Sequence, residues 1–190
     1  MSFFDLFLKK RNKSVSIGIT QNKETQAELD IRDRETIVIF KKLLIESGKY
    51  KDSIESLINK NIDMPFNAIN EGNQLTLDQK KELNINSRKK YGDRYIQSLT
   101  TNGLNKDASV DFFKNSYYQA FGIASRKFEI SQIQKKGITK CRIAFCNDER
   151  DCDAIKKYGN KVFDINSVPD LPLKECTAAY CRCMIVAVLD

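Results

Sequence analysis

Apolar residues recur at helical spacing in two runs near the start of the chain. The first run, residues 37–45, keeps its apolar side chains on one helix face and ends at Ser47-Gly48. The second run, residues 50–58, repeats the pattern, and Met64-Pro65 interrupts it. The pattern predicts a helical hairpin that begins near Arg34, because two short periodic runs joined by a glycine turn are typical of one.

A much longer helical pattern runs from Asp107 to about Lys136, where Gly137 follows as a stop signal. A helix of this length spans roughly 45 Å, and Gly122 is a point where it can bend. The apolar stripe consists of Val110, Phe113, Tyr117, Ala120, Phe121, Ala124, Phe128 and Ile133. We interpret the stripe as the face of a central core helix, with a cofactor pocket or a partner helix as the alternative.

The pattern changes after Gly137. Residues 138–145, 162–165 and 184–189 are short and rich in β-branched or other apolar residues, which predicts three strands. An acidic, then helical segment separates the first two, and a loop with two prolines precedes the last. The predicted order is strand, helix, turn, strand, loop, strand. Between the hairpin and the long helix, residues 77–100 are moderately helical, with an interruption near Gly92.

Together these elements predict an α+β fold with a mainly helical N-terminal region, a long central helix and a small cysteine-stapled α+β module. We divide the chain into a polar N-terminal arm (1–33), a helical region (34–137) and a cysteine-rich module (138–190). With 41% apolar and 30% charged residues, the 190-residue chain has the composition of a globular protein rather than a disordered one.

The charge is uneven along the chain. The net charge is +7, but residues 141–190 carry a net −1, so the first 140 residues carry +8. An excess of this kind favours anionic partners such as nucleic acid, although it is also typical of a solvated surface. The candidate phosphate-binding residues are Lys89, Lys90, Arg94, Arg126, Lys127, Lys135 and Lys136.

The absence of histidine excludes several kinds of site. No Ser-His-Asp or Cys-His pair can form, and no histidine can bind a metal. No run of apolar residues is long enough to cross a membrane, and the first residues lack the pattern of a secretory signal. We therefore expect a cytoplasmic protein.

One acidic cluster could support an enzyme. Asp148, Glu149, Asp151 and Asp153 are oxygen donors that could hold Mg²⁺ for phosphoryl chemistry. Such a cluster is more often a solvated loop or helix N-terminus, where acidic residues favour the helix dipole. An effector or toxin enzyme is therefore one functional hypothesis. It ranks below the two non-enzymatic hypotheses that follow, and catalysis is not expected.

All six cysteines lie within 43 residues: Cys141, Cys146, Cys152, Cys176, Cys181 and Cys183. A module of about 50 residues buries little apolar surface, so cross-links are expected to stabilise it. Cys152, Cys176, Cys181 and Cys183 are a workable set of zinc ligands, and Cys141 and Cys146 could be an additional pair. The sequence contains no Cys-x-x-Cys, and three disulfides or free thiols remain alternatives to zinc.

Four short motifs in this module occur in a distinctive order. They are Asp148-Glu149-Arg150-Asp151-Cys152-Asp153, Tyr158-Gly159-Asn160-Lys161-Val162-Phe163, Pro169-Asp170-Leu171-Pro172 and Cys181-Arg182-Cys183. In this order they resemble the C-terminal module of the Mu F-like minor head (head morphogenesis) proteins of tailed phages. The resemblance covers residues 138–190. Ile155 and residues 178–180 differ from the family pattern, which has a second cysteine and a His-Pro there.

The resemblance implies a non-enzymatic structural protein of virion assembly. In such a protein the basic helical part would contact portal protein, scaffold or packaged DNA, and the cysteine module would be a rigid knob. A protein partner is therefore expected. A basic nucleic-acid-binding protein with a structural zinc or disulfide module is the main alternative.

Overall fold

The computed structural model describes residues 23–104, 108–159 and 161–189. The chain divides into two compact units, Met1–Asp30 and Ile31–Asp190. Of the first unit, the structure describes only residues 23–30, which are helical. Most of the predicted N-terminal arm therefore lies outside the described residues.

The first helix, α1, spans Lys23–Glu46. It begins well before Arg34, so the prediction of a non-helical arm up to residue 33 is wrong for its last part. Residues 23–33 lack an apolar period but are rich in Glu, Lys, Gln, Ala and Arg, which have high helix propensity. The helix ends as predicted, because Gly48 adopts a φ of 67° that favours glycine and donates its N–H to Ile45 O.

Short helices follow α1: α2 (Ile54–Lys60), a 3₁₀ helix (Pro65–Asn70), α3 (Leu77–Glu82) and α4 (Asp93–Gln97). Two helices separated near Gly92 confirm the interrupted helical pattern of residues 77–100. A reciprocal cap of Thr76 and Gln79 begins α3. The 3₁₀ helix replaces part of the loop predicted after Asn67.

The long helix α5 spans Ala108–Lys135 and confirms the predicted central helix. It continues through Gly122, so the bend allowed at that residue does not interrupt it. Gly137, with a φ of 71°, ends it, and the N–H of Ile138 bonds back to Ile133 O.

Two hydrophobic clusters lie along α5. The first joins its N-terminal half to α1 and the short helices, and Phe113 is fully buried at its centre. The ring of Phe113 lies 4.8 Å from that of Phe40 and 5.7 Å from that of Tyr95, both edge-on. The hydroxyl groups of Tyr50 and Tyr95 are 3.1 Å apart in the same cluster. The apolar stripe is thus a core face, as interpreted.

The second cluster lies under a three-stranded antiparallel sheet of β1 (Lys140–Ala144), β2 (Val162–Asp164) and β3 (Met184–Ala187), in the order β2-β1-β3. Cys141 pairs with Phe163 and Ile143 with Ile185, so alternate residues of each strand face the core. A one-turn helix, α6 (Asp153–Lys156), connects β1 to β2. This order matches the predicted module, and the fold is mainly helical α+β.

Within the described part of the chain, no helix combines the length and the apolar composition that crossing a lipid bilayer requires.

Candidate metal centre

Four of the six thiols form one cluster: Cys152, Cys176, Cys181 and Cys183 (the four-cysteine cluster). All four lie in the second hydrophobic cluster, where burial and the thiols of Cys152 and Cys181 raise the pKa of Cys176, and Cys183 lowers that of Cys181. Three different local structures supply them. These are the four residues that the sequence suggests as one set of zinc ligands, and that assignment stays a prediction.

Each cysteine of the cluster is positioned by its own segment. Cys152 caps the start of α6, and Cys176 closes a turn in which its N–H donates to Leu173 O at 2.9 Å. Cys181 and Cys183 immediately precede β3, and the N–H of Cys181 donates to Oε1 of Gln119 on α5 at 2.7 Å. Three of the four are buried and Cys176 is partly exposed.

The other two cysteines stand apart from this cluster. Cys141 faces the core from β1, where burial raises the pKa of its thiol, and Cys146 is exposed after the strand. All six cysteines are free thiols in the structure. No disulfide therefore cross-links the module in this structure. Cys141 and Cys146, which the sequence suggested as an additional pair, differ sharply in exposure.

The thiols of the cluster affect one another. The hydrogen bond from Cys183 lowers the pKa of Cys181, assisted by the N–H of Cys183 and by the guanidinium of Arg126. The same interaction raises the pKa of Cys183. Of these two thiols, Cys181 ionises more readily.

The donor set fits zinc in number and kind, since four thiolates satisfy a tetrahedral structural site. Two ligands of such a site lie about 3.8 Å apart, because each Zn–S bond is about 2.3 Å long. Among the described residues no three acidic or cysteine side chains are already arranged around one ion, so binding would require the thiols to turn inward.

The carboxylates of the acidic segment before α6 bind the guanidinium of Arg182 and are not arranged around a metal ion. Arg182 donates to both oxygens of Asp148, at 3.1 Å for Oδ2, and to Oδ1 of Asp151 at 3.0 Å. The side chain of Asp151 is only 2% exposed, so Arg182 supplies its counter-charge inside the protein. Two of the four acids suggested as Mg²⁺ ligands are therefore neutralised, and Asp153 pairs with Lys156 at 2.8 Å.

These contacts also give a physical reason for the spacing of two of the motifs. Arg182 lies between the two cysteines of Cys-Arg-Cys, and its partners lie in the acidic segment that ends at Cys152. The ion pairs therefore bring Cys152 towards Cys181 and Cys183. A cleft of about 370 Å³ lies beside them, lined by Arg150, Asp151, Cys152, Tyr180 and Arg182 among others.

The pairing of Asp148 with Arg182 should make the stability of the protein depend on pH. The hydrogen bonds from Arg182 hold the pKa of Asp148 far below its usual range. The stability that Asp148 contributes is therefore fully present above its unfolded pKa of about 3.9 and is lost as the pH falls through its lower, folded pKa. Thermal unfolding of Asp148→Asn and the wild type should differ by a constant margin from pH 5 to 7, and the margin should shrink below about pH 4.

Asp63→Asn is the control for this experiment, because Asp63 is exposed and far along the chain from the module. Its unfolding temperature should follow that of the wild type at every pH. A margin for Asp148→Asn that stays constant down to pH 2 would contradict the assignment.

The seven candidate phosphate-binding residues do not form one surface. Arg126 is buried, so its assignment to an exposed phosphate-binding face is wrong. Lys89 pairs with Asp111 at 3.4 Å, and Lys127 pairs with Glu35 at 2.5 Å. Lys90 and Arg94 are exposed at the start of α4, Lys135 and Lys136 are exposed at the end of α5, and Lys127 is exposed farther back on α5.

Sequence reasoning missed the face of α5 that contacts the cysteine segment. Gln119, Gly122 and Arg126 lie at positions i, i+3 and i+7, outside the apolar stripe. A side chain at Gly122 would come within 2.9 Å of Arg126 Nη1 and 3.3 Å of Cys181 O, so glycine permits a close approach here. A glycine and an arginine one turn apart were the available signal, and it is a weak one.

Comparisons with known proteins add no relative. No protein-family model matches the chain, and neither a curated protein nor a solved structure matches it.

Proposed function

We propose that this protein is a non-enzymatic structural protein whose C-terminal module is stabilised by one zinc ion bound to Cys152, Cys176, Cys181 and Cys183. The observation that carries the proposal is that three segments bring these four cysteines into one hydrophobic cluster, where their thiols shift one another's pKa. Thiolates are ligands that zinc prefers, and four of them without histidine complete a structural site with no open position for a substrate.

The physical need for a bound ion supports the same conclusion. The second hydrophobic cluster is small: it buries eight Ile, Leu and Phe side chains, and three of its other buried positions are cysteines of the four-cysteine cluster. Small modules of this kind are commonly stabilised by a metal or by disulfides. A single cluster of four favours one metal over three disulfides, because Cys141 and Cys146 lie outside it.

The biological setting we propose is virion assembly, with a protein partner. This part rests on the order of the four motifs, which resembles that of the Mu F-like minor head proteins. The contact of Arg182 with Asp148 and Asp151 supports a shared structural reason for two of those motifs. The engagement of these carboxylates by Arg182 also favours a structural role over Mg²⁺-dependent catalysis.

The metal is tested by elemental analysis and native mass spectrometry of the full chain purified under reducing conditions. One zinc per chain is expected. Alkylation should then modify Cys146 readily, while the four-cysteine cluster should react only after a chelator removes the metal. Six thiols that all react at once in metal-free protein would contradict the proposal, as would a mass showing disulfides formed within the cluster.

The setting is tested separately, by mass spectrometry of purified virus particles from cells that carry the gene. The chain should be present in the particles at a fixed ratio to the capsid protein. Its absence from complete, infectious particles would contradict a role as a virion component, whatever the metal content of the purified protein.

A further inference from the structure

The one buried cation beside the four-cysteine cluster among the described residues is Arg126. It lies on α5 and is 6% exposed. Its Nη1 donates to Cys183 O at 3.2 Å and its Nη2 to Leu171 O at 3.0 Å. Its Nε has no acceptor among the described residues. The guanidinium keeps its proton in proteins, so the position carries a fixed positive charge.

That charge has no carboxylate partner within the described residues, where the bonds of Arg126 go to two backbone carbonyls. A buried charge without a counter-charge costs several kcal/mol. The guanidinium of Arg126 lies instead against the backbone of the four-cysteine cluster, since it bonds to the carbonyl of Cys183 and shares the space over Gly122 with Cys181 O. Neutral thiols cannot offset a cation, but thiolates can.

The negative charge of a zinc–thiolate site would supply the counter-charge that Arg126 lacks. Four thiolates and one Zn²⁺ sum to −2, which is itself costly to bury. A guanidinium beside them reduces the net charge to −1, so the cation and the metal site each offset the burial cost of the other. Gly122 permits this arrangement, because a side chain there would meet both Arg126 Nη1 and Cys181 O.

We infer that Arg126 is the counter-charge of the metal site, and that it raises the affinity of the four-cysteine cluster for zinc by offsetting the negative charge of the bound thiolates. The inference rests on the proposed zinc site and adds to it a residue outside the ligand set. Arg126 is a positioning residue in this role, since it would contact ligands and not the ion.

The test measures zinc affinity of the full chain by competition with a chromophoric chelator. Arg126→Met removes the charge and keeps much of the apolar volume, and its affinity should fall about 10- to 100-fold, as is usual when a group supporting metal ligands is lost. Arg126→Lys keeps the charge and should retain most of the affinity. Arg126→Gln keeps a donor without the charge and should fall as far as Arg126→Met.

Lys127→Met is the matched control, because Lys127 carries the same charge on the next residue but is 61% exposed and pairs with Glu35. Its zinc affinity should equal that of the wild type. Circular dichroism of each zinc-loaded variant checks the fold, and Arg126→Gln serves if Arg126→Met does not fold.

Two results would overturn the inference. The first is an affinity of Arg126→Met and Arg126→Gln equal to that of the wild type. The second is an equal fall for Arg126→Lys and Arg126→Met, which would assign the effect to the hydrogen bonds with Cys183 O and Leu171 O. A wild-type chain that binds no zinc would refute the proposed function itself, and so differs from both.

Discussion

Cys181→Ser is expected to abolish zinc binding and to unfold the C-terminal module while the helical cluster around Phe113 stays folded. Cys181 is buried, and the thiols of Cys183 and Cys176 both affect its pKa, so it is a central member of the four-cysteine cluster. Serine is a poor zinc ligand compared with thiolate. Structural zinc contributes apparent binding energies of about 10–16 kcal/mol in zinc-finger peptides, so losing one ligand should remove several kcal/mol. Few modules have so much stability in reserve.

Two measurements check this prediction. Zinc content should fall from one per chain towards zero, and amide hydrogen exchange in β1 and β3 should become fast. Exchange in the first half of α5 should stay slow, because its side chains pack in the other hydrophobic cluster. Cys146→Ser is the control, since Cys146 is exposed and outside the four-cysteine cluster, and it should leave both quantities unchanged. Slow exchange in β1 and β3 of metal-free Cys181→Ser would contradict the role of zinc.

Phe113→Ala is expected to destabilise the helical region by about 4 kcal/mol, the middle of the range for truncating a buried phenylalanine. Phe113 is 0% exposed, and its ring lies within 6.0 Å of the rings of Phe40, Tyr50 and Tyr95. Truncation leaves a cavity and removes three aromatic contacts at once. For a chain of this size the unfolding temperature should fall by roughly 10 °C, measured by circular dichroism at the helical signal.

Phe112→Ala is the matched control for this prediction. Phe112 precedes Phe113 on α5 but is only partly buried, and it contacts Tyr50 and the ammonium of Lys49 at the edge of the cluster. We expect a cost of about 1–2 kcal/mol, because less apolar area is lost from the interior. Equal costs for the two variants would show that Phe113 is not the centre of this core.

Much of the fold could be predicted because its signals are local. The period of the stripe in α5 and the glycine after it both act within a few turns, so the helix and its end follow from the residues themselves. The three strands follow from short apolar runs for the same reason. The start of α1 was predicted too late, because it is helical by propensity and has no apolar period.

The candidate site could be predicted only in part. All six cysteines lie in the last 50 residues, and cysteines in a small module are expected to be cross-linked. This concentration is what suggested the four-cysteine cluster. The surroundings of the charged residues were harder to predict. Arg126 looked like one more surface cation among Lys127, Lys135 and Lys136, and the acids beside Cys152 looked like a solvated or metal-binding group.

The sequence by itself determined the α+β class, the long helix α5 and the three strands, and it placed all six cysteines in the C-terminal module. Tertiary structure alone decided that Arg126 is buried against Cys183 and that Arg182 meets Asp148 and Asp151. The physical reason is the distance along the chain over which each kind of interaction acts. Periodicity and turn chemistry act between near neighbours, whereas the burial of a charge depends on which distant segment packs over it.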